Sequence, residues 1–182
     1  MSKETPVNLE TYFRQTSSTA VYPPEQADTY LRLGLYSEWG EVAGVLKKAI
    51  RDGIDPTRAL AAELGDCAWY QAQAMIHASP YIERLDFVSE ACDARAASRL
   101  KPENVPHQRS LYYPHVIIEA ALLTLATVLP EDPYRASENL WTFWGMMVRA
   151  YGLDVEDVLG ANAAKLSDRS SRGKLGGSGD DR

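Results

Sequence analysis

The chain has 182 residues, of which 45% are hydrophobic and 24% are charged, and its net charge is −6. These values are ordinary for one soluble globular domain with a sizeable core, and the acidic balance argues against a broad nucleic-acid interface, which needs a basic face. We therefore expect no nucleic-acid partner. No apolar run is long enough to span a bilayer, and the first residues lack a signal-peptide pattern. We accordingly expect no membrane partner and a location in the cytoplasm.

Helical periodicity dominates the chain, and recognisable signals separate the predicted helices. Asp52-Gly53 ends the first long helix, and Asp55 before Pro56 caps the second. The predicted helices cover residues 25–52, 56–79, 81–97, 113–129, 134–151 and 154–166, with a loop at 101–110. No segment alternates polar and apolar residues as a half-buried strand does, so we predict an all-α helical bundle in a single domain, 1–182. The Gly- and Ser-rich end, from Ser167 and above all over 170–182, should be mobile.

Two acidic pairs lie on the first two long helices, Glu38 with Glu41 and Glu63 with Asp66. Residues three apart are neighbours on one face of a helix, so each pair places two carboxylates together. If the two helices pack side by side, the four carboxylates converge between them. Such a cluster calls for cations, since unit charges 4 Å apart repel by about 4 kcal/mol at an effective dielectric near 20.

The chemistry of the acidic pairs favours magnesium and phosphate. Carboxylate oxygens are the ligands that Mg²⁺ prefers, whereas histidine and cysteine would indicate zinc. A triphosphate and an acidic cluster can coexist only with cations between them, and two or more ions could also activate a water and stabilise a leaving oxygen.

A solvated helix face is the simpler explanation for either pair alone, because E-x-x-E recurs by chance. Gly40 and Gly65 argue against it, since glycine inside a helix costs about 1 kcal/mol relative to alanine and would let a helix, metal or phosphate approach closely. Trp39 and Trp69 beside the pairs indicate a partly buried site. For these tryptophans and for Tyr22, core packing is favoured about two to one over stacking on a base.

Four sequence blocks surround and follow the acidic pairs. They are Thr19-Ala-Val-Tyr-Pro23; Tyr30-Leu-Arg-Leu-Gly-Leu with Glu38-Trp-Gly-Glu41 and Lys47-Lys48; Glu63-Leu-Gly-Asp66 with Trp69-Tyr70; and Asn162-Ala-Ala-Lys-Leu-Ser-Asp-Arg169 with Arg172-Gly173 and the final Gly177-Ser-Gly-Asp-Asp-Arg182. Each block alone is weakly specific. In this order and spacing, over 19–79 and 136–182, the chain resembles the MazG-like all-α nucleoside triphosphate pyrophosphohydrolases, close to the compact versions of phages and bacteria.

The resemblance implies hydrolysis of a (deoxy)nucleoside triphosphate to the monophosphate and pyrophosphate, for nucleotide-pool control. It implies that Mg²⁺, for which Mn²⁺ can substitute, binds between the two long central helices, and the ligands it implies are Glu38, Glu41, Glu63 and Asp66. It further implies contacts to the phosphates or sugar from Lys47 or Lys48, Asn162, Lys165, Arg169 and Arg172. From charge alone, a solvated helix end explains the basic residues near the C-terminus equally well. Tyr22 and Trp39 are the candidate contacts to the base, and we expect a homo-oligomer, either a dimer or a tetramer.

The chain departs from the family pattern at two places. Ser37 stands where many relatives carry another acid before the first glutamate. If that acid is the general base elsewhere, the base here is Glu41 or a metal-bound hydroxide, with Glu38 as the second catalytic carboxylate. Residues 80–132 form an insertion, predicted as a helical hairpin. The insertion either widens an oligomer interface, which its apolar run at 116–129 favours, or forms a lid over the base.

Other functional classes remain open to different degrees. A non-catalytic nucleotide-binding or interaction module on the same bundle is the main alternative, because Ser37 and the insertion allow it. A di-iron carboxylate bundle is disfavoured because the chain lacks the Glu-x-x-His pairs of such sites. A phosphate-binding Walker loop is also missing, since no G-x-x-x-x-G-K-[ST] order occurs.

Overall fold

A computed structural model describes residues 7–78, 85–90 and 114–176, with side chains for all of these except 85–87. Within these ranges every regular element is helical, which confirms the predicted all-α bundle. The elements are α1 (Leu9–Ser18), a 3₁₀ turn (Pro24–Gln26), α2 (Ala27–Asp52), α3 (Thr57–Ala78), α4 (Leu85–Glu90), α5 (Pro114–Leu123), a π turn (Thr124–Val128), α6 (Pro133–Ala150) and α7 (Val155–Ser171). None of these helices combines the length and apolar character that a membrane span needs.

Local capping explains where the long helices begin and end. Gly53 ends α2 in the left-handed conformation with φ 64°, which glycine adopts without strain. The Asp55 carboxylate accepts a hydrogen bond from the Thr57 amide at 3.0 Å and so caps α3. Asp132 and Asp154 cap α6 and α7 in the same manner, at 2.9 and 3.0 Å. The helix boundaries that the sequence predicts around these signals therefore agree with the structure to within one or two residues.

Helix α3 lies at the centre of the bundle and packs on α1, α2, α6 and α7. A short connection joins α2 to α3, so the two run antiparallel as neighbours. Their facing apolar residues enter one core with those of α5 and α6, including Trp39, Leu64, Trp141, Trp144 and Met147. The Trp144 indole donates a hydrogen bond to the Leu64 carbonyl at 2.7 Å, which ties α6 to α3. This packing places the two acidic pairs on adjacent helices.

The two ends of the chain differ from the sequence prediction. Helix α1 was not predicted, because residues 9–18 are largely polar and bury only Tyr12, Phe13 and Thr16. At the other end, the mobile tail predicted from Ser167 is wrong for its first residues, since α7 continues to Ser171. Arg172 and Asp168, one helical turn apart, form an ion pair with 2.5 Å between Nη2 and Oδ2, which stabilises this extension. Residues 177–182 lie outside the described part of the chain.

The described parts of the 80–132 insertion belong to the main core. Ile117, Ile118 and Ala121 of α5 are buried against α2 and α6. Residues 85–90 are helical, within the helix predicted for 81–97. The rest of that prediction and the loop predicted at 101–110 lie outside the described residues.

Candidate metal-binding site

Three of the four predicted ligands meet between α2 and α3. One carboxylate oxygen from each of Glu38, Glu41 and Glu63 lies within 4.8 Å of the other two. Glu38 and Glu63 are partly buried, whereas Glu41 is exposed. Three carboxylate oxygens at this separation form a plausible ligand set for a hard divalent cation that keeps several waters. Exposed acidic groups also gather without a cation. The charges and burial around these three carboxylates therefore decide whether they suit a metal ion.

Asp66, the fourth predicted ligand, is engaged by α7. Its two carboxylate oxygens lie 2.5 and 2.7 Å from Lys165 Nζ. Asn162 Nδ2 also donates a hydrogen bond to Asp66 Oδ1 at 2.7 Å. Lys165 therefore supplies a positive charge at the edge of the cluster. A cation that binds Asp66 would have to lie beside the Lys165 ammonium or displace it.

The crowding of carboxylates changes how they titrate. Burial and then the charges of Asp66, Glu41 and Glu63 raise the pKa of Glu38 to about 8, with Lys165 opposing. Burial, followed by Glu41 and Asp66, also raises the pKa of Glu63, while Lys165 and Lys48 lower it. Both shifts have the same two causes: burial disfavours the charged form, and each carboxylate disfavours ionisation of the others. A divalent cation between them would remove that penalty.

Asn162 connects the acidic site to the core. Its side chain is 3% exposed, and Asn162 Oδ1 accepts a hydrogen bond from the Tyr12 hydroxyl at 2.8 Å. A Cβ built at Gly65 would lie 2.9 Å from the Asn162 Cβ, so glycine lets α7 approach α3. Both polar ends of Asn162 thus have protein partners, Tyr12 and Asp66. In this arrangement Asn162 positions Asp66, a different role from the predicted substrate contact.

The tryptophans and glycines beside the acids have different surroundings in the structure. Trp39 is fully buried in the core, and Trp69 donates a hydrogen bond from Nε1 to Thr19 Oγ1 at 2.9 Å. Neither indole therefore offers a free face for a base in this conformation. At Gly40, by contrast, no described atom lies within 4 Å of a Cβ built there, apart from its chain neighbours and the adjacent backbone of α2 itself. The close approach predicted for the two glycines occurs at Gly65, and Gly40 leaves open space beside the acids.

An aromatic cluster continues the acidic face of α2 and α3. Tyr22 stacks on Tyr30 with ring centroids 4.9 Å apart, and Trp69 packs edge-on against Tyr70 at the same separation. The Tyr70 ring lies directly over Gly34, where an added Cβ would come within 1.9 Å of Tyr70 Cε1. Tyr30 is 40% exposed. Tyr30 and Tyr70 were not predicted as contacts, although Tyr30, Gly34 and Glu38 follow one another at intervals of four residues, a spacing that indicates a shared face.

The predicted basic contacts lie around the cluster at different distances from it. Lys47 and Lys48 are exposed near the C-terminal end of α2, and Lys48 is close enough to lower the pKa of Glu63. Arg169 follows Lys165 by one turn of α7 and is partly exposed. Arg172 is exposed and paired with Asp168. Lys165 is thus the basic side chain in direct contact with one of the four acids, among the described residues.

A comparison with known proteins shows similarity to a phage protein. The Gene 37 protein of Mycobacterium phage L5 is 36% identical over 78 residues, an alignment that covers 37% of this chain and 68% of the phage protein. No protein-family model matches the chain, and no solved structure matches it. The phage protein's name states no activity.

Proposed function

The chain belongs to the family of the Gene 37 protein of Mycobacterium phage L5, and we propose that it is a Mg²⁺-dependent hydrolase of (deoxy)nucleoside triphosphates. The products are the nucleoside monophosphate and pyrophosphate, and the biological use is control of a nucleotide pool. The single observation that carries the proposal is the convergence of Glu38, Glu41 and Glu63 within 4.8 Å. The likeness of the surrounding sequence blocks to MazG-like enzymes supports the choice of substrate.

The cluster has the properties that a triphosphate site requires. The ligand set is all carboxylate, which suits Mg²⁺ or Mn²⁺ and not zinc. A bound cation would polarise a phosphoryl oxygen and lower the pKa of a water. Glu38 and Glu63 hold protons more tightly than ordinary glutamates because they are partly buried beside other acids. The site is therefore disposed to exchange protons for a cation at neutral pH.

Glu41 is the best placed general base among the described acids. It is exposed, so a water can reach its free oxygen. The Ser37 hydroxyl donates a long hydrogen bond to Glu41 Oε1 at 3.4 Å. Glu41 Oε2 is left to accept a proton from the attacking water. Ser37, which stands where many MazG-like enzymes carry an acid, would orient Glu41 through this hydrogen bond. Lys165, which contacts Asp66, and Arg169, one turn further along α7, are the basic side chains proposed to contact the phosphates.

The tyrosines of the aromatic cluster, with exposed Tyr30 at its surface, provide a face for the base, and buried Trp69 supports them from behind. Tyr30 precedes Glu38 by eight residues of α2, which corresponds to about 12 Å along the helix. Bases stack on aromatic faces with little dependence on sequence. A nucleotide with its base on exposed Tyr30 and its phosphates at the acids would lie along the α2–α3 groove.

A nucleotide panel tests the proposal. The protein is incubated with the eight common ribo- and deoxyribonucleoside triphosphates in Mg²⁺ or Mn²⁺, and pyrophosphate is measured. We expect release from at least one nucleotide, abolished by chelation. In Glu63→Gln the rate should fall by more than about 100-fold, since changes outside the ligand shell of a metal already cost 10–100-fold. No pyrophosphate from any nucleotide would refute the enzymatic proposal.

One observation favours a second function, a nucleotide-binding module without turnover. Lys165 already neutralises Asp66 at 2.5 Å, so one predicted ligand has a protein partner before any cation arrives. Tight binding of a nucleotide in the same panel, with no pyrophosphate or phosphate formed, would select this function.

A further inference from the structure

The Tyr12 hydroxyl lies where α1, α3 and α7 meet beside the acidic site. The side chain is fully buried, and its hydroxyl oxygen is 2.8 Å from Asn162 Oδ1 of α7 and 3.3 Å from the Gly65 carbonyl oxygen of α3. Gly65 allows this close approach, because a Cβ built there would lie 2.9 Å from the Asn162 Cβ. Helix α1 therefore contacts the residue that bonds Asp66, although it contributes no side chain to the cluster of three glutamates.

The direction of these hydrogen bonds follows from Asp66. Asn162 Nδ2 lies 2.7 Å from Asp66 Oδ1. Because a carboxylate accepts hydrogen bonds, the Asn162 amide turns its N–H to Asp66 and its oxygen to Tyr12. Burial and then the charge of Asp66 raise the pKa of Tyr12, so the hydroxyl keeps its proton at neutral pH and donates it to Asn162 Oδ1. The hydrogen bonds thus run in one direction, from Tyr12 through Asn162 to Asp66.

The two carboxylate oxygens of Asp66 have different partners. Oδ1 accepts from the Asn162 amide and from Lys165, whereas Oδ2 has Lys165, at 2.7 Å, as its one hydrogen-bond donor among the described residues. The Lys165 side chain is 31% exposed and carries its ammonium on a flexible four-carbon stem, so it can leave Asp66 for a phosphate. Asn162 is buried and bonded at both ends. Departure of Lys165 would therefore leave Oδ1 held and Oδ2 open.

We propose that Tyr12 is a positioning residue for Asp66: through the Asn162 amide it holds Oδ1 and so leaves Oδ2 as the oxygen that a divalent cation can take. This role rests on the proposed metal-dependent function and adds a residue of α1 to it. Tyr12 itself touches neither metal nor nucleotide, because its side chain is fully buried. Residues that hold a metal ligand in place typically affect metal affinity by about 10–100-fold, so the loss of this one hydroxyl should be measurable at the metal.

The side-chain amide of Asn162 gives a test in the metal-free protein. The full chain is labelled with ¹⁵N-asparagine, and the Asn162 NH₂ signal is assigned by its loss in Asn162→Ala. Tyr12→Phe keeps the ring and removes the hydroxyl, so exchange of the Asn162 NH₂ protons with water should become about tenfold faster or more. Thr16→Val is the matched control, because it removes another buried hydroxyl of α1 that bonds α3 through Gln73 at 2.8 Å. Unchanged exchange in Tyr12→Phe, or an equal change in Thr16→Val, would overturn the proposal.

Mn²⁺ affinity, measured below the melting temperature of each variant, tests whether the hydroxyl acts through Asn162. Tyr12→Phe should weaken Mn²⁺ binding about tenfold, and Thr16→Val should change it less than about twofold. In Asn162→Ala the added Tyr12→Phe change should cost less than about twofold, because the residue it acts through is gone. An equal loss with and without Asn162 would overturn the proposal.

The two proposals fail in different ways. If the parent bound no Mn²⁺, the proposed function would lose its metal site. Exchange of the Asn162 amide in Tyr12→Phe would then still decide the role of Tyr12: faster exchange would support its hold on Asn162 and Asp66, and unchanged exchange would overturn it.

Discussion

Lys165 of α7 reaches across to α3 and places its Nζ 2.5 Å from Asp66 Oδ1. The sequence presents these residues as a phosphate contact and a metal ligand, yet in the structure they form an ion pair with each other. Because the two side chains are 31% and 28% exposed, the pair is shielded from water more than a surface pair is. This contact therefore links two helices and places a positive charge at the edge of the acidic cluster.

Removing the lysine should destabilise the metal-free protein. Lys165→Met leaves Asp66 without its counter-ion beside the other acids, and we expect a loss of about 1–2 kcal/mol in the free energy of unfolding, below the cost of breaking a fully buried pair. Arg172→Met is the matched control, because its pair with Asp168 is 49% and 62% exposed and should contribute less than about 0.5 kcal/mol. Urea unfolding in chelator measures both. Equal losses in the two variants would contradict this role of Lys165.

The titration of Glu38 predicts how stability depends on pH. Its pKa is raised from 4.5 to about 8 by burial and by the neighbouring acids, so between these values the folded state binds a proton that the unfolded state has released. Stability without metal should therefore fall as pH rises from about 5 to 9. In Glu38→Gln this decline should be smaller, with Glu63 contributing the remainder in the same direction. Melting temperatures across this range, in chelator, test the sign; an equally steep decline in the variant would refute it.

Divalent cations should reverse this pH effect. Mg²⁺ requires the ionised carboxylates, so its binding releases protons and tightens as pH rises. We expect the Mg²⁺-induced rise in melting temperature to be larger at pH 8.5 than at pH 6. A rise that is the same at both values, or larger at the lower one, would indicate binding away from Glu38 and Glu63.

The two glycines of the acidic signatures should respond to alanine with opposite signs. At Gly65 the new methyl would lie 2.9 Å from the Asn162 Cβ, which should displace α7 and cost about 1–3 kcal/mol. At Gly40 the new methyl would meet no described atom within 4 Å beyond its chain neighbours and the adjacent backbone of α2, so alanine should stabilise the helix by about 0.5–1 kcal/mol. Thermal unfolding of the two variants measures the difference. Stabilisation by Gly65→Ala would show that the α3–α7 contact is looser than described.

The two buried glutamines of α3 offer a similar matched pair. Gln73→Met removes two hydrogen bonds and leaves Thr16 and Tyr22 without that partner, which should cost about 1–3 kcal/mol. Gln71→Met removes an amide that has no hydrogen-bond partner within the described ranges, so the variant should be as stable as the parent or more stable. Chemical unfolding without added ligand distinguishes the two, and a large loss in Gln71→Met would show that its amide is already paired.

Local signals in the sequence account for much of the fold. Gly53 marks the end of α2 and Asp55 caps the beginning of α3. The three-residue spacing of Glu38 and Glu41 correctly places them on one face of α2, and Glu63 of α3 lies across from them. These predictions succeed because capping and helical period act within a few residues. They concern the scaffold and the grouping of the acids, while the activity remains a proposal.

Features that depend on contacts between distant residues were not predictable in the same way. Lys165 and Asp66 are 99 positions apart, and only the packing of α7 on α3 reveals that they pair. The unpaired amide of Gln71 looks the same in sequence as the paired amide of Gln73. Helix α1 is a different case, because Leu9, Tyr12, Phe13 and Thr16 have the spacing of one helical face and the Asn8 side chain caps the helix. These local signals predict a helix, although the surrounding residues are polar.

The measurement that tests the central claim most directly is Mn²⁺ binding, followed by electron paramagnetic resonance, together with pyrophosphate release. Both are compared in the parent, in Glu41→Gln and in Glu25→Gln, an exposed glutamate on the 3₁₀ turn outside the cluster. The account predicts that the parent and Glu25→Gln bind Mn²⁺ and release pyrophosphate, and that Glu41→Gln loses turnover with weaker Mn²⁺ binding. Undiminished Mn²⁺ binding and turnover in Glu41→Gln would contradict the account.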